Sequence, residues 1–256
     1  MEENIGDRLV EQGRVLFQSE RIEDNLFTHD PDANALVNDI EHFPHAYVLA
    51  CLADFQVKAE VAWGVPYHLK HQLGSFDFSV LSRQSESDII HMMQDSGHRF
   101  WRVVAQRSFR AIRRIEGEYA GDASLIWTGS PSSAEVVYRF LEFEGMGPKI
   151  ATMATNILAR ELKIPMSDYY SIDISVDRHI RRVFQRLGLV PDGATSEQII
   201  FRARSLSPGF PGLLDFPCFE IGRKWCRPEN PDCPDCLMRD CCPSSKSQDT
   251  EPCPDN

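Results

Sequence analysis

Phe143-Glu144-Gly145-Met146-Gly147-Pro148-Lys149-Ile150-Ala151 breaks a helical pattern and restarts it. Val136, Val137, Phe140 and Leu141 precede it at helical spacing, and Ile150, Ala151, Ala154, Ile157 and Leu158 follow at the same spacing. Two helices therefore meet at a Gly-x-Gly turn. Gly145 and Gly147 permit positive φ and a close approach to another surface. Pro148 suits the first turn of the second helix, where its missing N–H is not needed. The N–H groups there point outward, and with the helix dipole they favour an anion such as a DNA phosphate. An αα-hairpin with a glycine corner and no ligand would use the same residues.

The flanking sequence is helical throughout. Ile5, Leu9, Leu16 and Phe17 predict an amphipathic helix within residues 5–19, and Asp30-Pro31-Asp32 reads as a turn. Leu36, Val37, Ile40 and Phe43 mark a second helix, which Pro44 ends. Val48, Leu49, Leu52 and Phe55 predict a buried helix over residues 45–56, and Gly64-Val65-Pro66 interrupts the next helical stretch. Ser85 caps a helix to about Gln94, and another runs from about His98 to Glu116. Ser130 with Pro131 opens the helix that leads into the hairpin. Residues 177–187, 196–206 and 212–225 read as helices, the second behind a Thr195/Gln198 capping box. No strand run or internal repeat stands out, so the fold class is all-α. The polar stretch from Ser244 reads as disordered.

A chain of 256 residues can bury a large core. No apolar run is long enough to span a membrane and no signal peptide is visible. A cytoplasmic monomer is expected, nucleoid-associated if the source is prokaryotic, with no membrane partner. The net charge of −11 argues against simple nucleic-acid binding. Its distribution reverses that argument locally, because residues 97–227 hold 19 Lys/Arg against 14 Asp/Glu. One basic face on an acidic protein can still meet DNA. Arg99, Arg102, Arg107, Arg110, Arg113 and Arg114 share one helix face and fit either phosphates or the acidic N-terminal region.

Seven of the eight cysteines follow residue 217, a clustering that suggests metal more than disulfides. Cys226, Cys233, Cys236 and Cys242 form C-x6-C-x2-C-x5-C. Four thiolates in one loop can hold a [4Fe–4S] cluster or a tetrahedral zinc, and spacing alone does not choose. Cys241 creates a register ambiguity with Cys242. Cys51, Cys218 and Cys253 read as ordinary thiols.

Three stretches then combine: the glycine corner ending at Lys149, Val176-Asp177-Arg178-His179-Ile180-Arg181-Arg182-Val183, and Ile221-Gly222-Arg223-Lys224-Trp225-Cys226 with the cysteines after it. In this order, over roughly residues 35–242, they resemble the endonuclease III family of DNA glycosylases, the helix-hairpin-helix superfamily with an iron–sulfur loop. The resemblance implies a two-lobed fold with DNA over the cleft. Residues 1–37 and 158–243 would form the iron–sulfur lobe, residues 38–157 the bundle with the hairpin, and residues 244–256 a disordered tail. It implies a [4Fe–4S] cluster on Cys226, Cys233, Cys236 and Cys242, and Cys242 rather than Cys241 matches the family.

The implied activity is cleavage of an N-glycosidic bond in double-stranded DNA, with the target base flipped out. Lys149 stands where bifunctional members carry the amine nucleophile, which forms a Schiff base and permits β-elimination. A solvated lysine or a phosphate contact is the plainer reading. Asp177 matches the family's catalytic aspartate and also reads as a helix N-cap. Gln56 resembles the glutamine that fills the gap left by the base, or is an exposed helix-end residue. Gly145, Gly147, Arg178, Arg181 and Arg182 are the other candidate DNA contacts, while His179 reads as packing. Cys51 stands where adenine-specific relatives carry a glutamate, which disfavours adenine excision.

The 27 residues between Lys149 and Asp177 exceed the usual family spacing. The surplus, around residues 164–175, is an inert loop or reshapes the base pocket. Tyr169 and Tyr170 stack a flipped base there or pack on each other. The alternatives to a bifunctional enzyme are a monofunctional glycosylase for another modified base and a non-catalytic DNA-binding iron–sulfur protein.

Overall fold

The computed structural model describes residues 5–19 and 27–246, and among these every regular element is helical. In chain order they are α1 (Ile5–Gln18), α2 (Pro31–Asn38), α3 (Pro44–Ala53), α4 (Ala59–Trp63), α5 (Val65–Leu73), α6 (Phe78–Leu81), α7 (Glu86–Met93) and α8 (Trp101–Glu118). They continue with α9 (Ser133–Leu141), α10 (Pro148–Arg160), α11 (Arg178–Arg186), α12 (Ser196–Leu206), α13 (Asp215–Lys224) and α14 (Pro243–Lys246). Two 3₁₀ turns, Ala123–Ile126 and Pro211–Leu214, complete the set. No helix among the described residues is long and apolar enough to cross a membrane.

The chain forms two units, Arg21–Ser167 and Met1–Glu20 with Asp168–Asn256. The boundaries expected at 37/38 and 157/158 therefore shift. α2 packs on α3 and α5 and buries Ala33, Leu36 and Val37, which ties it to the 21–167 unit. At the other end α10 runs on to Arg160, and the Ser167 N–H reaches the Pro131 carbonyl at 3.0 Å.

In the 21–167 unit α3 is the central helix. All ten of its residues are buried, as a helix apolar on every side requires. Helices α2, α4, α5, α8 and α10 pack on it, and the Tyr47 hydroxyl donates to the Ala154 carbonyl of α10 at 2.6 Å.

Prolines and caps set the helix starts, and three expectations change here. Pro44 begins α3 instead of ending α2, because at N1 its fixed φ fits and its missing N–H costs nothing. Pro31 likewise begins α2, and Asp30 caps it by accepting from the N–H groups of Asp32 and Ala33 at 2.9 and 3.3 Å. Ser132, not Ser130, caps α9: its hydroxyl accepts from the Glu135 N–H at 3.2 Å, whereas Ser130 sits at φ 53 outside the helix. The capping boxes at Ser85 and Thr195 are both present.

The other unit packs α1, α11, α12 and α13 around Leu9, Ile180, Val183, Phe184, Leu214 and Ile221. Gly222 lets α13 lie hard against α11. A Cβ there would stand 2.7 Å from the His179 Cβ. The stretch from Ser244, expected to be disordered, begins as a helical turn. The Ser244 and Ser245 hydroxyls donate to the carbonyls of Arg186 and Arg239 at 2.8 and 2.7 Å. Residues 247–256, including Cys253, lie outside the described residues.

Candidate functional site

The hairpin joins α9 to α10 through a turn in which Gly145 alone takes positive φ, at 96°. A Cβ on Gly145 would lie 2.5 Å from the end of the flexible Arg107 side chain, which can move aside, so the glycine is required by conformation. Gly147 differs from its expectation: it is extended, at φ −82 and ψ 176, and has open space where a Cβ would go. It serves as the N-cap of α10 without a side-chain cap bond, so the backbone N–H end of the helix is not covered by a side chain. Pro148 and Lys149 follow, both exposed.

A second feature of the same unit lies at the end of α3. Asp54 is the C-cap, and its carboxylate accepts from Trp63 Nε1 at 3.3 Å. Burial pushes the Asp54 carboxyl above its usual range, while the nearby Lys149 charge, the Trp63 bond and His98 pull it back. Phe55 follows, with the Arg107 guanidinium 4.9 Å above its ring. Arg107 thus touches both the hairpin glycine and this bend. Gln56 comes next, exposed and at φ 52. Cys51 is fully buried, and desolvation raises its thiol far above the ordinary range, so it is a packed, inert thiol. Asp54 has no singled-out role in the sequence, and Arg107 stands there only as one of six arginines on a helix face. Tyr47, Cys51 and Asp54 at i, i+4 and i+7 of a mostly apolar stretch were the available signal for the first. Nothing distinguishes Arg107 from the other arginines of its helix.

Those arginines are largely engaged inside the unit. Arg110 pairs with Glu144. Arg113 bonds Glu116 at 2.6 Å and the carbonyls of Ser82 and Gln84. Arg114 pairs with Glu118 and Glu142 at 2.6 and 3.2 Å. None of these partners belongs to the acidic N-terminal region. Arg99 precedes α8 and is not part of it.

Asp177 lies in the other unit and caps α11, its Oδ1 accepting from the N–H groups of His179 and Ile180 at 2.8 Å each. Arg178 is exposed beside it. Arg181 donates to the Ala194 carbonyl and to the Ser196 hydroxyl. Arg182 donates to the carbonyls of Cys226 and Gly222 at 2.6 and 2.7 Å and to His179 Nδ1 at 3.1 Å. Both side chains bind their own unit together. His179 packs edge-on against Phe219 at 5.6 Å.

Residues 164–175 hold a defined course. Tyr169 stacks on Phe210 at 5.1 Å and meets Phe17 edge-on at 5.3 Å, so it packs within the unit and not on Tyr170, which is exposed. Asp173 pairs with Arg204 through two bonds of 2.7 Å, and the Ser175 N–H reaches Asp215 at 2.9 Å.

Cys226, Cys233, Cys236 and Cys242 line a cavity of about 240 Å³, together with Val183, Leu187 and Met238. Cys241 is not on its wall; its thiol faces the Met238 carbonyl at 3.4 Å. The loop is tied to α11, because Arg186 donates to Cys226 Sγ at 3.4 Å and to the carbonyls of Arg227 and Pro228 at 2.6 and 2.9 Å. Among the described residues no three His, Cys, Asp or Glu side chains converge tightly enough to hold a single ion. The four thiols frame a space. Four thiols around one cavity are a donor set that fits a [4Fe–4S] cluster or a tetrahedral zinc.

No protein-family profile matches the chain. It is 26% identical to Endonuclease III of Thermotoga maritima over 162 residues, 63% of this chain and 66% of that protein. It is 27% identical to Endonuclease III-like protein 1 of Gallus gallus over 153 residues, 57% of this chain and 46% of that protein. The matched segments thus span less than two thirds of these relatives. A solved non-covalent endonuclease III–DNA complex shares the fold, with a TM-score of 0.61 and 16% identity, covering 98% of this chain and 99% of that one. Sequence and fold point the same way: the chain is similar in sequence to endonuclease III proteins and shares the fold of a solved endonuclease III–DNA complex.

Proposed function

We propose that the protein is a DNA N-glycosylase that excises a damaged or modified base and then nicks the strand, with Lys149 as nucleophile and Asp177 as the carboxylate. The observation that carries this reading is the hairpin. An exposed lysine in the first turn of α10 follows a glycine corner whose helix end lacks a side-chain cap, within the fold of a DNA-bound relative. Backbone N–H groups and dipole at such an end suit a phosphate, which brings the sugar to the amine. The Lys149 amine forms a bond to C1′ as the glycosidic pair leaves with the base. Asp177 offsets the positive charge that develops on the sugar. The resulting Schiff base permits loss of the C2′ proton and departure of the 3′ phosphate.

Gln56 fits the place of the flipped base, since an exposed residue at positive φ projects from the end of α3. In this reading Gly145 and Gly147 of the hairpin, and Arg178 at the start of α11, meet the DNA backbone. The cysteine cavity holds a [4Fe–4S] cluster that fixes the loop after α13. One chain carries every named group, so a monomer suffices on double-stranded DNA. The test is a single-turnover screen of duplexes with different lesions, scored with and without alkali and by borohydride trapping. Nicking without alkali and trapping are expected, both lost in Lys149→Ala. Trapping undiminished in Lys149→Ala refutes the nucleophile.

A further inference from the structure

Gln56 holds a left-handed backbone, at φ 52, without the freedom of a glycine, so its neighbours must keep it there. The two residues before it are fixed. Asp54 accepts from the Trp63 indole at 3.3 Å. The Phe55 ring has the Arg107 guanidinium 4.9 Å over it and stacks on Phe100 at 5.6 Å. Phe100 is held in turn by His98, which is buried. His98 Nδ1 accepts from the Phe100 N–H at 3.0 Å, so its proton is on Nε2, which donates to the Ala53 carbonyl at 3.0 Å. The end of α3, the bend after it and the segment leading into α8 thus form one mount, with the exposed Gln56 at its tip.

Arg107 differs from the arginines that follow it on α8. Arg110, Arg113 and Arg114 each pair with a glutamate, whereas no carboxylate among the described residues pairs with Arg107. Its guanidinium lies on the Phe55 ring instead, an attraction that strengthens as water is excluded. The same side chain runs beside Gly145, so the bend that carries Gln56 is tied to the hairpin corner.

We infer that Arg107 is a positioning residue for Gln56: through the Phe55 ring it keeps the glutamine in the left-handed conformation from which it enters the gap left by the flipped base. The inference rests on the place given to Gln56 in the glycosylase reading above. A glutamine already held in this conformation loses less freedom on entering the duplex than one on a loose loop, which offsets part of the cost of opening the base pair. Without the cation on the ring, the left-handed state competes with the ordinary extended and helical ones. A smaller fraction of the protein is then ready to fill the gap, and the apparent affinity falls by that fraction.

The test is a double-mutant cycle on the Kd for a duplex with a tetrahydrofuran abasic analogue facing 2-aminopurine, titrated by the fluorescence of that base. The analogue forms no Schiff base, so the reading is independent of the chemistry at Lys149. Gln56→Ala should weaken binding. Arg107→Met, which keeps the stem and drops the cation, should weaken it about tenfold, the size of one partly desolvated cation–π contact. In a Gln56→Ala background Arg107→Met should cost nothing more, because its effect passes through the glutamine. Phe55→Leu, which removes the ring, should repeat both results and serves if Arg107→Met does not fold. An equal loss from Arg107→Met in the wild-type and Gln56→Ala backgrounds, as a phosphate contact or a loosened fold would give, overturns the inference, and so does wild-type affinity in Arg107→Met. If Gln56→Ala itself binds as the wild type does, the place given to Gln56 fails and the inference with it, while borohydride trapping through Lys149 still tests the glycosylase reading separately.

Discussion

Asp177 carries two loads that substitution can separate. Its Oδ1 accepts two backbone N–H bonds of 2.8 Å at the start of α11, and its charge serves the proposed chemistry. Asn retains a carbonyl oxygen in the same place and is as good a cap as Asp. It gives up only the charge–dipole interaction, about 0.3–1 kcal/mol. Ala removes the cap altogether and leaves both N–H groups without their acceptor, so it should cost about 1–2 kcal/mol. In a chain of this size each kcal/mol lowers Tm by roughly 2–4 °C. Unfolding followed by circular dichroism, alongside single-turnover excision, reads both loads. Asp177→Asn should melt close to the wild type yet lose excision; Asp177→Ala should lose excision and melt a few degrees lower. An Asp177→Ala protein as stable as the wild type refutes the capping argument. Full excision in a folded Asp177→Asn protein refutes the role of the charge.

Two further outcomes are expected. Cys242→Ser should lower the iron content and visible absorption of the purified protein, while Cys241→Ser, whose thiol lies off the cavity wall, should leave both unchanged; equal effects would contradict the ligand assignment. His45 is buried, and desolvation pushes its imidazole down to about 4, so the native state holds it neutral below its unfolded value of 6.5. The unfolded chain then binds a proton that the folded chain does not. Stability is lost as pH falls from about 6.5 toward 4, by up to about 3 kcal/mol, and is regained as pH rises. Denaturant midpoints of His45→Gln should slope less over that window; an unchanged slope would mean that other groups set the acid sensitivity.

Much of the fold is local and so was visible in the chain. Asp177, Ser85 and Thr195 announce helix starts because a cap needs only a side chain and the N–H groups two or three residues on. Pro31 and Pro44 misled because proline forbids a helix interior but favours its first turn, and sequence position alone does not separate the two. α2 was placed with the wrong unit because its apolar face shows that it packs, not on what.

What the sequence by itself determined was the all-helical class, the glycine corner before Lys149, the capping Asp177 and the four-cysteine spacing, each a relation among residues a few positions apart. The tertiary structure decided which of Cys241 and Cys242 faces the cavity, since adjacent residues point in different directions and the packing of Met238 and Arg186 selects between them. It also decided that three arginines of α8, Arg110, Arg113 and Arg114, answer glutamates and carbonyls of their own unit. Finally it brought the bend after α3 up to the hairpin through Arg107, which lies over the Phe55 ring and beside Gly145, contacts that no local rule of spacing encodes.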